Sequence, residues 1–269
     1  MDELLLQEVH HPSVRALASA GERTPKSDPP DADFLVRVSN LIGALMLTVG
    51  AIRYHAMLGE RGVFMSRFLS REVAAMVRDK GFAYTMQPQS LEVTTLCCDL
   101  RGFTSFSQFL ASDQVIRLLN EYYDALGRVV AEFQGTIKDY AGDGVLILIG
   151  APLPVAGHAQ RGIEMARRLQ HVEHEVLSHW AGPETKLAFG VGVATGRVTV
   201  GAVGSAARME YTAVGPAVNL AARLCSRAGD GEVLVDTRTA ELGGRDGLEA
   251  RGAMNLKGIG ASVEHFAAT

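Results

Sequence analysis

The chain has 269 residues, 47% of them hydrophobic, and a net charge of −4; that share is ample for a packed core, and the length suits one large domain or a domain with an extension. With no block of Lys or Arg, the charge excludes nucleic acid as the expected partner. The three cysteines, Cys97, Cys98 and Cys225, lack metal-site spacing and read as reduced, buried thiols of a cytosolic compartment.

The N-terminal MDELLLQEVHH is acidic, and no long apolar core with a small-residue cleavage site follows it, so a signal peptide is not expected. Residues 1–33 read as loosely structured, with a short helix over Leu4–Val9 and a linker over Arg23–Asp33 (RTPKSDPPDAD). Residues 34–84 read as a helical region. Within it, Val38 to Ile52 (VSNLIGALMLTVGAI) is apolar and flanked by Arg37 and Arg53. As a helix this run spans roughly 22 Å, short of the ~30 Å hydrocarbon core. Three readings stay open: a buried or dimer-forming helix, a helix in or on a membrane over residues 38–59, and a fragment of a larger regulatory domain. Gly62 to Lys80 is amphipathic, with Phe64, Phe68, Val73, Met76 and Val77 on one helical face and Ser70 as an N-cap inside it.

From Leu91 the pattern alternates strand and helix. Strands are predicted at Leu91–Leu100, Thr136–Tyr140, Val145–Ile149, Lys186–Thr195, Val198–Val203, Met209–Ala213 and Glu232–Asp236, and Asn255–Phe266 closes the domain. Helices are predicted at Ser105–Ala111, Asp113–Phe133, Ala156–Trp180 and Pro216–Arg227, the last with Pro at its first turn. Gly196 reads as the break between two strands. The order βαββαβ implies an α+β fold with a ferredoxin-like sheet over residues 85–269.

Three stretches carry chemistry. LEVTTLCCDLRGFT (Leu91–Thr104) is a β-branched run ending on one carboxylate, Asp99, beside a turn with free backbone N–H groups. That arrangement suits a cation and a phosphate together, or an Asp that caps a turn. IKDYAGDGVLILIG places Asp143 at the tip of a hairpin. RMEYTAVGPAVNLAAR (Arg208–Arg223) places Asn219 and Arg223 four apart, on one helix face. An Asn within an apolar helical run competes with the backbone and is otherwise poorly placed.

These stretches in this order, with LKGIG near the end, resemble the catalytic domain of the class III nucleotidyl cyclases, the adenylate and guanylate cyclases. The resemblance covers Gln87 to Ala267. It implies attack of a ribose 3′-hydroxyl on the α-phosphate of a nucleoside triphosphate, with release of pyrophosphate, assisted by two Mg²⁺ or Mn²⁺ ions. Asp99 and Asp143 match the metal aspartates, and the Leu100 carbonyl can add a ligand. The turn with Phe103 and Thr104 is expected to bind phosphate oxygens. Arg101 reads equally as a surface charge and is not assigned a role. Asn219 is expected to orient the ribose, Arg223 to stabilise the α-phosphate in the transition state, and Lys257 to hold the terminal phosphates. The family builds each site from two domains, so one chain with both halves is expected to work as a head-to-tail homodimer in the cytoplasm. The resemblance also implies that the amphipathic Gly62–Lys80 segment transmits a signal between subunits; simple packing is the alternative.

Base recognition departs from the pattern. Adenylate cyclases of the family place Lys four residues before the second metal Asp; here that residue is Asp139, and Lys138 lies one earlier. Neighbouring strand residues point to opposite faces, so Lys138 could take over only through a register change. Thr212 matches the second base-reading position. ATP is the expected substrate, with GTP as the alternative because Asp139 stands where guanylate cyclases carry Glu. Two further readings are a cyclase-like nucleotide-binding regulatory domain without turnover, and a GGDEF-like or polymerase-palm relative, which the VNLAAR stretch disfavours.

Overall fold

The structure is a computed structural model and describes residues 31–66, 70–180, 187–205 and 208–268. The candidate helix Leu4–Val9 and most of the expected linker lie outside those residues. Two compact units are distinguished, Met1–Arg61 and Gly62–Thr269. The described part of the first is helix α1 (Ala32–Ser66), a single 35-residue element that continues past the unit boundary. Within it Asp33–Tyr54 has mean hydropathy 1.8 and is not buried, so by length and composition it is able to cross a membrane. It is longer than the predicted Val38–Ile52 because Arg37 and Arg53 are good helix formers and do not end it.

In the second unit, α2 (Arg71–Lys80) begins where the sequence predicts, with the Ser70 hydroxyl accepting from the Val73 N–H at 3.3 Å. The elements that follow are α3 (Phe82–Met86), β1 (Gln89–Arg101), α4 (Phe103–Ser107), α5 (Ser112–Glu132), β2 (Thr136–Ala141) and β3 (Gly144–Ile149). Next come α6 (His158–Trp180), β4 (Ala188–Ser205), β5 (Arg208–Val214), α7 (Pro216–Arg227), β6 (Val233–Asp236), α8 (Thr237–Gly243), β7 (Leu248–Met254) and β8 (Val263–Ala268). The sheet runs β2-β3-β1-β4-β6-β8-β7, with β5 paired to β4. Its first four strands with α5 and α6 form the expected βαββαβ unit, and the α+β class holds.

Two predictions of elements are corrected. The residues read as two strands around Gly196 form one 18-residue strand, β4. Gly196 does not break it: the residue pairs with Val93 in register, and a Cβ there would meet the Ala217 Cβ at 3.3 Å. The closing segment predicted at Asn255–Phe266 becomes a strand only at Val263, where β8 begins, and the strand before it, β7, lies upstream of the predicted bounds.

Strand alternation assigns each sheet face a different partner. One face carries Leu96, Cys98, Leu100, Ile147, Ile149, Val191 and Val193, packed against Leu118, Tyr122 and Leu126 of α5 and Ile163, Met165 and Leu169 of α6. The other carries Gly190, Gly192, Ala194, Gly196, Val198 and Val200 along β4, and α7 lies on it through Ala217, Ala221 and Leu224. At Gly192 a Cβ would sit 2.1 Å from the Ala221 carbonyl oxygen and 2.2 Å from the Cys225 nitrogen. Helix and strand therefore touch backbone to backbone, which only glycine permits there.

Glu173 of α6 is fully buried against the first face, and neither carboxylate oxygen has a hydrogen-bond partner among the described residues. Burial pushes its carboxyl from the ordinary 4.5 up to about 9. Between those values the folded state holds a proton that the unfolded state releases, so this group makes stability fall as pH rises, by up to about 1.4 kcal/mol per pH unit. Glu173→Gln, neutral in both states, is expected to flatten that slope and to raise stability at pH 8 by about 1–3 kcal/mol, with little change near pH 4.5. Urea denaturation of both proteins at several pH values measures this; parallel slopes would show that Glu173 is not buried in its neutral form.

Candidate active site

The two sequence-predicted aspartates come together. Asp99 sits near the end of β1, on the α7 face, paired with Gly190 across the β1–β4 ladder. Asp143 sits in the two-residue turn between β2 and β3, after Gly142 at φ +67°. Since β3 pairs with β1, the hairpin tip arrives beside Asp99: a Cβ on Gly144 would lie 3.7 Å from Asp99 Oδ1. Burial first, and Asp143 second, raise the Asp99 carboxyl above its ordinary value, while Arg101 pulls the other way. Two carboxylates converging on one spot are a site that favours positive charge.

Arg101 supplies some of that charge. Its Nη1 donates to Asp99 Oδ2 at 2.7 Å, and its side chain is mostly buried. In the sequence Arg101 reads equally as a surface charge; the signal for its place in the site is its position two residues after Asp99, on the same strand face. Tyr123 of α5 was missed as well. Its hydroxyl donates to the Gly142 carbonyl, and its ring lies 4.4 Å from that of Tyr140 on β2. It thus grips the peptide just before Asp143. Nothing local in the sequence links residues 123 and 142, since a helix and a hairpin must first pack together.

The turn after β1 places Gly102 at φ +79° and starts α4 at Phe103, two residues before the predicted helix start. The first helical bond is from the Phe106 N–H to the Gly102 carbonyl at 2.9 Å. The N–H groups of Phe103 and Thr104 precede it and are free of that ladder. Phe103 packs partly on the core and Thr104 is exposed.

The remaining candidates lie around α7. Asn219 and Arg223 are exposed, because Ala217, Ala221, Leu224 and Cys225 occupy the face against the sheet. Lys257 is exposed in the β7–β8 connection, whose Leu256 is buried in the same cluster as Ala221 and Leu224. Thr212 is half-buried on β5, opposite Gly201 of β4. The guanidinium on Asp99 is that of Arg101, whereas Arg223 projects from the outer face of α7.

On β2 the structure contains the register change that the sequence reading required. Ile137 opposes Ile147 and Asp139 opposes Leu146, so Lys138 is the extra residue of a β-bulge. Counting from Ile137 on the α5/α6 face, Lys138 and Asp139 both fall on the face of Leu148. The Asp139 side chain is 57% exposed and that of Lys138 only 8%, with Nζ 3.9 Å from Asp139 Oδ2.

A pair of carboxylates thus stands at one end of a ferredoxin-like sheet, with a helix presenting Asn and Arg outward. The family described as the adenylate and guanylate cyclase catalytic domain matches residues 85–268, and the chain belongs to it. Adenylate cyclase 1 of Rhizobium meliloti (strain 1021) is 35% identical over 136 residues, 49% of this chain and 20% of that protein. Adenylate cyclase of Anabaena cylindrica is 32% identical over 133 residues, 49% of this chain and 26% of that protein. The chain thus aligns with about a fifth to a quarter of those relatives' length. Among solved structures, the adenylyl cyclase CyaB from P. aeruginosa is 29% identical with a TM-score of 0.65, covering 68% of this chain and 96% of that one. The guanylyl cyclase Cya2 is 34% identical with a TM-score of 0.59, covering 68% and 93%.

The family's divalent cations fit the donor set. Asp99 and Asp143 offer hard oxygens, and no cluster of three or more His, Cys, Asp or Glu exists among the described residues. A cation held there needs further oxygens from a main-chain carbonyl, water or substrate phosphate, which suits Mg²⁺ or Mn²⁺. Tyr123→Phe removes the grip on the Asp143 turn without changing the core. It is expected to weaken Mn²⁺ binding about 3–10-fold, the loss of one hydrogen bond, with the melting temperature nearly unchanged. Titration followed by the electron paramagnetic resonance of free Mn²⁺ reads this directly; equal affinity would mean that the turn holds itself.

Proposed function

We propose that the protein is an adenylate cyclase that converts ATP to 3′,5′-cyclic AMP and pyrophosphate. The observation that carries the reading is the convergence of Asp99 with Asp143 of the hairpin tip, in a chain whose Asn219 and Arg223 face outward. Asp99, Asp143 and the Leu100 carbonyl would hold two Mg²⁺ or Mn²⁺ ions. Bound there, the ions lower the pKa of the ribose hydroxyl and neutralise the triphosphate. The chain's own groups supply the rest. The Phe103 and Thr104 N–H groups receive phosphate oxygens. Asn219 orients the ribose, Arg223 meets the charge that develops on the α-phosphate, and Lys257 holds the terminal phosphates.

Asp99 and Arg223 of one chain would serve different sites, so the active form is a head-to-tail homodimer with two equivalent sites. Asp99→Ala and Arg223→Ala are each expected to be inactive alone and to regain activity when mixed, because one hybrid site is then whole. Statistical exchange yields one intact site in half of the dimers, so about a quarter of wild-type activity should return. Mixtures that stay inactive under conditions of demonstrated subunit exchange would refute the shared site.

The bulge supports a preference for adenine. An ammonium donates to adenine N1, an acceptor, and cannot accept from the N1–H of guanine. With Lys138 and Asp139 on one face, Lys138 offers the donor, Asp139 holds it, and Thr212 completes the subsite. Lys138→Met is expected to lower kcat/KM for ATP about 10–100-fold, the loss of a charged hydrogen bond, with a smaller effect on GTP. A guanylate cyclase is the second reading, favoured by the exposure of Asp139. A wild type that prefers GTP, with Asp139→Ala abolishing that preference, would establish it. Absence of cyclic product from either nucleotide with Mn²⁺ would instead favour a regulatory domain without turnover.

A further inference from the structure

β1 ends on a guanidinium that reaches two places at once. Arg101 Nη1 donates to Asp99 Oδ2 at 2.7 Å. Its Nη2 donates to the main-chain carbonyl of Cys225, two residues before the end of α7, and lies 3.9 Å from Cys225 Sγ. The carbonyls of a helix's last turn carry partial negative charge, so a cation there is favourable; the Cys225 carbonyl accepts from the Ala228 N–H as well, at 3.1 Å. Room for the guanidinium comes from Gly190, the partner of Asp99 in the ladder. A Cβ on residue 190 would sit 2.6 Å from Nη2, 2.9 Å from Nε and 3.0 Å from Cζ. Even an alanine there would displace the guanidinium.

We infer that Arg101 is a positioning residue that couples the charge on Asp99 to the seating of α7. By holding Oδ2 it leaves Oδ1 toward the hairpin tip, on the side of Gly144. By holding the Cys225 carbonyl it anchors the end of the helix that presents Asn219 and Arg223. A planar fork with donors at fixed angles can do both; a lysine ammonium cannot span them in the same way. The consequence rests on the shared-site reading above. In a head-to-tail dimer, the Asp99 of one chain works in one site and its α7 in the other. Arg101 is then a physical link between the two sites: a cation that draws Asp99 away from Arg101 loosens the end of α7 across the dimer.

Hydrogen exchange on the full chain tests this without turnover. Arg101→Gln removes the guanidinium, and Gly190→Ala displaces it while keeping it in the chain. In both, the amides of residues 224–228 are expected to exchange about tenfold faster in metal-free buffer, as loss of a charge-assisted bond implies. Mn²⁺ should speed the same amides in wild type and add nothing there in either variant. Arg101→Lys keeps the charge without the fork and should fall between; it also provides a variant that folds if the others do not. Wild-type exchange at residues 224–228 in all three variants overturns the inference. If the wild-type hairpin amides of residues 140–146 ignore Mn²⁺, the two-cation reading fails instead, and the metal-free comparison still decides the role of Arg101.

Discussion

The architecture around the site depends on how closely α7 approaches β4. A helix packed on a sheet normally rides on side chains that hold its backbone away from the strand's. Here Gly190, Gly192, Ala194 and Gly196 alternate along the strand face under α7, and the helix backbone meets the strand backbone at Gly192. Every larger residue of that part of β4, Phe189, Val191 and Val193 among them, points to the other face and into the α5/α6 core. The seat determines the orientation of α7. With Ala217, Ala221, Leu224 and Cys225 against the sheet, Asn219 and Arg223 face outward. Leu256 joins the same cluster and brings the Lys257 loop to the helix.

Electrostatics divides the carboxylates of this domain by the face they occupy. Glu173 lies in the α5/α6 core with no partner among the described residues, and burial leaves it protonated at neutral pH. Asp99 lies on the α7 face at the strand end, where burial and then Asp143 raise its proton affinity and Arg101 opposes both. One group is kept neutral by its surroundings, and the other sits in a balance that a further positive charge would tip. The thiols follow the first pattern: burial pushes Cys97 up to about 12 and Cys225 up to about 11, so neither is a ready nucleophile.

The two groups of candidate residues are displayed rather than enclosed. The carboxylate pair sits at the open end of β1 and the hairpin, while Asn219 and Arg223 project from the outer face of α7. In the proposed homodimer the two groups would come to one triphosphate from two copies. Arg101 would then touch elements assigned to different sites.

Local rules determined much of this in the sequence. The Ser70 cap, the hairpin that carries Asp143, the Pro-initiated bounds of α7 and the βαββαβ order each follow from signals within a few residues, and all four are observed. The cyclase resemblance was carried by short motifs in order, which do not depend on packing. What depended on cross-strand and helix–sheet contact was not legible. Gly196 has the composition of a break, and only the arrival of α7 makes it an interior strand residue. The bulge at Lys138 appears only when β2 is registered against β3. Arg101 looks like a surface charge until Gly190, far along the chain, opens space beneath the guanidinium. A sequence specifies dihedral preference and periodicity directly, whereas the direction of a charged side chain is decided by which backbone comes close enough to receive it.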